Sequence, residues 1–365
     1  MFSKLSLHQA LFLLSKVSKF SSPKIRERLL LFPDPKQVIC DVFKNNHNKY
    51  RSVFNLKSVT ETECFEALKL FGRQQQMGIK TISYLDKEYP FNLEKIADAP
   101  ILIYRKGYAK AKGCKAPLLA IVGTRKMTTY GKRQIDEFFN SAQKSEFDVI
   151  SGLAYGVDSY AQSVASDYCF TVHSVLAHGL DHTYPRSNAA LLKKLEQNGY
   201  TYSEYAVESA AHKGRFLARN RLIAAMADVF WFVESAEKGR SLVTANYAKG
   251  YNSYLIASPG EIHREASQGC NRLIANHSAA LYERPETIAT HLGIVFSLTQ
   301  ESLSKKAPND RKSIKIYELL KYYRKLCPSQ IIQLSGLDKS TILELLLKRN
   351  LENQISQNPD NSYSV

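Results

Sequence analysis

Ala120-Ile-Val-Gly-Thr-Arg125 is an apolar run that stops abruptly at Gly123 and Arg125, and its pattern recurs downstream with different chemistry. With the run extended back to Leu118–Val122, the recurrences are Asp148–Ile150, Thr171–Ala177, Asp228–Val233 and Ser253–Ala257. Each is apolar, rich in β-branched or aromatic residues, and ends in Gly, Ser, Pro or a charged residue, as strands buried on both faces of a parallel sheet do. Helical patterns lie between them. The repeated order of strand, loop and helix predicts an α/β fold with a doubly wound, Rossmann-like parallel sheet. In such a sheet the loops leaving the strands emerge at one carboxyl edge, so Gly123–Arg125, Ser151–Gly156, His178–Pro185, Glu234–Ser241 and Pro259–Glu261 are predicted to meet. Glycine turns and helix N-termini there offer backbone N–H groups to anions, and Arg125 adds a planar fork for phosphate.

The 365 residues suffice for two or three domains. Fifty Lys and Arg against 34 Asp and Glu leave a net charge of +16, which suits a polyanionic partner. The excess is uneven, with eleven basic and three acidic residues among the first sixty and a second basic cluster from Lys305 through Lys325. The six cysteines never approach the C-x-x-C spacing of a zinc ribbon or redox pair, which fits a reducing, cytoplasmic setting. The Leu11–Leu14 run is too short for a membrane span and reads as one face of an amphipathic helix, so no membrane association is expected.

Residues 1–78 show helical periodicity broken by Ser21-Ser22-Pro23 and Pro33-Asp34-Pro35, and predict a small helical domain of sterile-alpha-motif or helix-hairpin-helix type, or else a packing cap on the next domain. Residues 79–296 hold the doubly wound region. Residues 297–310, rich in Ser, Lys and Pro, read as a linker. In 311–365, helices over Ser313–Lys325, Pro328–Leu334 and Ser340–Lys348, then a hairpin involving Leu351–Ile355 and Tyr363, suit a winged-helix-like domain.

The central region resembles the DprA/Smf family of DNA-processing proteins of bacterial transformation. The resemblance covers roughly residues 84–296 and rests on blocks in order: Ile121-Val-Gly-Thr-Arg125 with Tyr130-Gly131, Ser151-Gly-Leu-Ala-Tyr-Gly-Val-Asp158, Gly179-Leu-Asp-His-Thr-Tyr-Pro185 with Asn188, and Ser203-Glu204. It continues through Phe216-Leu-Ala-Arg-Asn-Arg221, Val233-Glu234, Ser241-Leu-Val-Thr-Ala245, Pro259-Gly260 and Gly269-Cys-Asn-Arg-Leu-Ile274. It implies a Rossmann-like domain that binds single-stranded DNA in a basic pocket, forms a homodimer, and hands the strand to the RecA recombinase without turning over a substrate or using a cofactor. It also implies that Lys213 contacts phosphate, that Phe216 contacts a base, and that Arg125 belongs to the pocket. Two positions depart from the family pattern: Gln162 stands where an alanine-histidine pair is usual, and Arg240 where a small glycine usually precedes Ser241.

The residues read on their own agree. Arg125, Lys213, Arg219, Arg221 and Arg240 are cations on or near the proposed edge, and Phe216 offers a ring for base stacking, which contributes about 1–3 kcal/mol per base whatever the sequence. Gly123 and Thr124 belong to the first turn, and Ser151 with Gly152 are read as capping the next helix and turning its N–H groups to a phosphate. Asn220, Ser241 and Asn271 are candidate hydrogen-bond partners. Competing structural roles are a salt bridge from Arg125 to Glu234, an inward anchor from Arg219 or Arg221 to Glu204 or Glu234, a core position for Phe216, and turn formation for Asn188 and Asn271. Asp181 reads as bracing its loop.

His178 and His182 flank Asp181, but Gly179 and Pro185 argue against the helix that metal-ligand spacing would need. A Walker-type phosphate loop is missing, because no Ser or Thr follows Gly131-Lys132. Two other functions remain open: an enzyme acting on a nucleotide or sugar phosphate with Glu204 or Glu234 as its carboxylate, and a basic protein coating nucleic acid through its flanking domains.

Overall fold

The computed structural model describes residues 2–18, 20–43, 48–56, 59–109, 116–296, 311–323, 325–351, 355–358 and 362–364. The chain divides into two compact units, Met1–Phe296 and Ser297–Val365. In the first, five helices come first: α1 (Leu7–Val17), α2 (Ser22–Leu31), α3 (Pro35–Phe43), α4 (Asn48–Val53) and α5 (Glu61–Gln76). The starts of α1 and α5 are written in the sequence. Ser6 with Gln9, and Thr60 with Glu63, form capping boxes, each satisfying orphan N–H donors of the first turn.

The expected amphipathic face of α1 is a different thing in the structure. Ala10 through Leu14 are all buried, so the middle of this helix is enclosed on every side. Phe12 meets Phe71 of α5 edge-on at 5.3 Å and Tyr104 of the sheet at 6.3 Å. The helices before residue 78 therefore share the sheet's own hydrophobic core.

The sheet and its helices follow as β1 (Lys80–Ser83), β2 (Leu102–Tyr108), β3 (Leu118–Val122), α6 (Thr129–Ser141), β4 (Asp148–Ser151), α7 (Val157–Asp167), β5 (Thr171–Leu176), α8 (Ala189–Leu195), β6 (Gly199–Ser203), α9 (Lys213–Met226), β7 (Val229–Phe232), α10 (Arg240–Gly250), β8 (Tyr254–Ala257), α11 (Glu265–Ala275), β9 (Ala280–Leu281) and α12 (Pro285–Leu292). The nine strands run in the order β1-β2-β6-β5-β4-β3-β7-β8-β9. Pairs from β6 to β9 are parallel, and β1 and β2 add an antiparallel edge. All five predicted strands lie in the parallel part.

Alternation along the strands builds two cores. Leu119, Ile121, Val229 and Trp231 face the side covered by α6, α7 and α12, whereas Ala120, Val122, Phe230 and Phe232 face α9, α10 and α11. Burial on both faces explains the continuous apolar runs. From β3 the chain winds outward through β4, β5 and β6, then returns to place β7 against the other side of β3. The order reverses between β3 and β7, and a crevice opens at such a point beyond the carboxyl ends of the strands.

The second unit holds α13 (Arg311–Tyr323), α14 (Pro328–Ser335), α15 (Lys339–Leu351) and an antiparallel pair, β10 (Ser356–Gln357) and β11 (Tyr363–Ser364). Its own core gathers Ile316, Leu320, Ile331, Ile342, Leu346 and Tyr363. The expected linker over 297–310 lies outside the described residues. No helix among the described residues is long and apolar enough to cross a membrane.

Candidate functional site

Two glycines lock the loops of the crevice together. A Cβ on Gly123 would stand 2.6 Å from Val157 Cγ2 and 2.8 Å from the Glu234 carbonyl oxygen. Gly156 has φ +80° and ψ −127°, and a Cβ there would drive into the Thr124 carbonyl. Across these close approaches the Thr124 N–H donates to the Glu234 carbonyl at 2.8 Å, and the Val157 N–H to the Thr124 carbonyl at 3.2 Å. The Glu234 side chain, 1% exposed, accepts from the Thr128 N–H at 2.8 Å and from Thr128 Oγ1 at 2.6 Å. It fixes the start of α6, and it is not the partner of Arg125.

Over this interlock lies a cavity of ≈ 300 Å³ lined by the turn after β3, the turn after β4 with Asp158 of α7, α9 from Phe216 to Ile223, and the start of α10 with the turn before it. Gly123, Thr124, Arg125, Phe216, Arg219, Asn220 and Ser241 all line it, so most of the predicted residues do converge. Arg125 is exposed, and its guanidinium lies 5.4 Å from the centroid of the half-buried Phe216 ring. Lys213 is exposed at the start of α9, one turn ahead of Phe216. Ser241 Oγ pairs with Ser235 Oγ at 2.7 Å. The Arg240 side chain lies outside the described residues.

Arg219 is placed differently from the expectation of a ligand-facing cation. Only 3% exposed, it forms part of the cavity floor, where Nη1 donates to the Gly152 carbonyl at 2.7 Å and to the Val175 carbonyl, and Nε donates to Asn220 Oδ1 at 3.2 Å. The guanidinium fills the space a side chain on Gly152 would need. Asp158 lines the same cavity: burial raises its pKa, the positive charge of Arg219 opposes that rise, and the Gly152 N–H donates to Asp158 Oδ2 at 3.2 Å. Gly152 is therefore small to admit Arg219.

Three other expectations are corrected. Ser151 ends β4, is fully buried, and donates through Oγ to the Ile121 carbonyl at 2.7 Å, while α7 is capped by Gly156. Arg221 turns away from the cavity to pair with Glu204 and, at 3.1 Å, with Asp98. Asn271 braces a turn, accepting from the Gly260 N–H at 3.0 Å and donating to the Gly260 carbonyl at 2.9 Å. Gln162, the departure from the family pattern, is a buried strut that accepts from the Leu153 N–H and donates to the His173 carbonyl and Ser174 Oγ.

Both nitrogens of His178 are committed to its loop: Nδ1 donates to the Gly179 carbonyl at 2.8 Å, and Nε2 accepts from the Tyr184 N–H at 3.3 Å. Burial lowers its pKa, which suits this neutral tautomer. No group of three or more potential metal ligands occurs among the described residues. The sequence reading passed over Ala154, Leu217, Ile223 and Thr244, which also line the cavity. Leu217 and Ile223 each lie three positions from Asn220, and Thr244 lies three from Ser241, and that helical spacing is the signal that points to them.

A family model described as DNA recombination-mediator protein A matches residues 80–293. Protein Smf of Synechocystis sp. is 32% identical over 241 residues, covering 65% of this chain and 60% of that protein. DNA processing protein DprA of Bacillus subtilis is 30% identical over 216 residues, covering 59% of this chain and 72% of its own length. The chain thus spans three fifths of the Synechocystis relative. The X-ray structure of DprA from Streptococcus pneumoniae shares the fold, with a TM-score of 0.64 at 24% identity over 79% of this chain and 98% of that one. A structure of DNA processing protein A from Helicobacter pylori, described for its single-stranded DNA binding mode, aligns with a TM-score of 0.52 at 28% identity over 59% of this chain and 95% of its own.

Proposed function

Since the chain belongs to the DNA recombination-mediator protein A family, we propose that it binds single-stranded DNA at the β3–β7 crevice and acts as a mediator that passes the strand to RecA. The observation that carries this reading is the pairing of Arg125 with Phe216 in the lining of the cavity, with Lys213 exposed one helical turn before Phe216 at the start of α9. It sets two exposed cations beside an aromatic ring, which is what sequence-independent single-strand binding uses. Gly123, Thr124, Asn220 and Ser241 complete the site, with Arg219 beneath it.

The protein acts without turnover and without a cofactor. Support comes from the two carboxylates an enzyme would need: Glu234 is spent on Thr128, and Glu204 on Arg221. We further propose a cytoplasmic homodimer, in which the second unit is a winged-helix module adding duplex affinity or a partner contact. Three helices followed by a two-stranded ribbon are the element order that supports it.

Fluorescence anisotropy of the full chain with single-stranded and duplex oligonucleotides across salt concentrations, paired with assays for nuclease, ATPase and nucleotide hydrolysis, tests the reading. Preference for single strands without turnover is expected. Hydrolysis lost in Glu204→Gln or Glu234→Gln would establish the enzyme reading instead. Single-strand binding that survives Arg125→Ala with Lys213→Ala would point to coating by the flanking regions.

A further inference from the structure

We propose that Tyr184 is a second stacking residue of the single-stranded path, carrying the strand out of the cavity across the loop between β5 and α8. This rests on the reading of the cavity as a single-strand site. The Tyr184 ring lies 5.6 Å from Phe216, centroid to centroid, with the two planes at 53°. The contact therefore joins the β5–α8 loop to the stacking residue of α9. Tyr184 remains 48% exposed, so the Phe216 contact leaves nearly half of it uncovered, and its burial adds little to the core.

The tyrosine is nevertheless held in place. Its N–H donates to Nε2 of His178, which is 1% exposed and whose Nδ1 donates to the Gly179 carbonyl. The loop is tied down further, because Ser203 Oγ donates to the His178 carbonyl at 2.7 Å and the Gly179 N–H to the Ser209 carbonyl at 2.9 Å. An exposed aromatic fixed through its backbone by a buried hydrogen-bond network is preorganised for a planar ligand, since little freedom is left to lose when a base settles on it. A cation accompanies it. Arg186 is exposed two residues further on, in the turn Arg186–Asn188, so the loop repeats the pairing of cation and ring made by Lys213 and Phe216 on α9.

The test measures binding of the full chain to oligothymidylates of increasing length, for the parent, Tyr184→Ala, Tyr184→Phe, Tyr184→Trp and Phe216→Ala. For the longer oligonucleotides Tyr184→Ala should weaken binding by about five- to a hundredfold. Its salt dependence should match the parent's, because no phosphate contact is removed. The Phe and Trp variants should bind like the parent, and the loss should vanish for oligonucleotides too short to extend past Phe216. If Phe216→Ala weakens binding and Tyr184→Ala does not, the proposal fails while the site reading stands. An equal loss at every length would show that Tyr184 only props Phe216, which also overturns the proposal. If neither ring matters, and the Arg125→Ala Lys213→Ala double variant binds like the parent, the site reading itself is wrong.

Discussion

Arg125 stands where a base would have to go. Its guanidinium lies 5.4 Å from the Phe216 centroid, so a base stacking on that face must displace it. A cation–π contact at an exposed site contributes about 0.5–1 kcal/mol. A charge-assisted hydrogen bond from the displaced guanidinium to phosphate returns about 1.5–3 kcal/mol. The expected net penalty of Arg125→Ala is then about 1–2 kcal/mol, or roughly five- to thirtyfold in affinity. In a Phe216→Ala background there is no contact to break on binding, so the same substitution should cost about two- to fivefold more than in the parent. The salt dependence carries a second number. Each phosphate contact to a single strand contributes about 0.7 to the slope of log affinity against log salt, so over a fourfold change in salt the parent-to-variant ratio should move about 2.6-fold. Lys213→Ala should flatten the slope equally, but its penalty should be the same with or without Phe216. Anisotropy titrations on the four variants of the Arg125/Phe216 cycle at several salt concentrations measure both quantities, with circular dichroism confirming the folds. Penalties smaller in the Phe216→Ala background would mean that Arg125 stays on the ring in the complex. An unchanged affinity in both Arg125→Ala and Lys213→Ala would refute the cavity as the binding site.

Arg219→Met should destabilise the first unit by about 3 kcal/mol or more, because it leaves the buried Asp158 without its compensating charge, and the thermal midpoint should fall accordingly; a midpoint within a degree of the parent's would show that the cation is dispensable. Burial lowers the pKa of His178, so the folded state binds fewer protons than the unfolded one, and stability should decline as pH falls from about 6.5 toward that lowered value. His291 is shifted in the same direction, so the informative quantity is the difference between the parent and His178→Gln, whose midpoint should vary less from pH 7.5 to 5.5; equal slopes would remove His178 from the account. A 1–296 chain should keep most single-strand affinity and lose more duplex affinity, since residues 1–296 form one compact unit and the cavity lies wholly within it. Loss of single-strand binding in that chain, with full-length Arg125→Ala unaffected, would move the principal site to the second unit.

The parallel core was legible because a strand covered on both faces has no polar side to display. Leu118–Val122 occupies its predicted range without adjustment. The β6 strand escaped notice because Gly199-Tyr-Thr-Tyr-Ser203 lacks such an apolar run and pairs with the antiparallel β2 on one side. Cations were harder to place than strands. Arg219 and Arg221 are two residues apart on a helix, about 200° around its axis, so they cannot face one ligand together. A helix of weak amphipathicity such as α9 gives no periodicity from which to choose the inward one. The choice lies instead in distant partners, the Gly152 and Val175 carbonyls for Arg219, and Glu204 and Asp98 for Arg221. Gly152 was the available signal, since a glycine directly after a buried strand marks a place where something must approach closely.

On the proposed reading, the buried arginine contributes to anion binding at a cavity that few free cations line. Arg219 forms part of the floor, is 3% exposed, and donates to carbonyl oxygens that carry no net charge of their own. Asp158, which lines the cavity with Arg219, offsets part of that charge and accepts from the Gly152 N–H at 3.2 Å. A charge screened by protein and not by salt solution acts at longer range than the exposed Arg125 and Lys213 do. The surface cations would then set the salt dependence, and the buried one would supply a component of affinity that persists at high salt. This division follows from the glycines: Gly152 admits the guanidinium beneath the cavity, Gly123 and Gly156 let the three loops close above it, and the switch between β3 and β7 opens the space they surround.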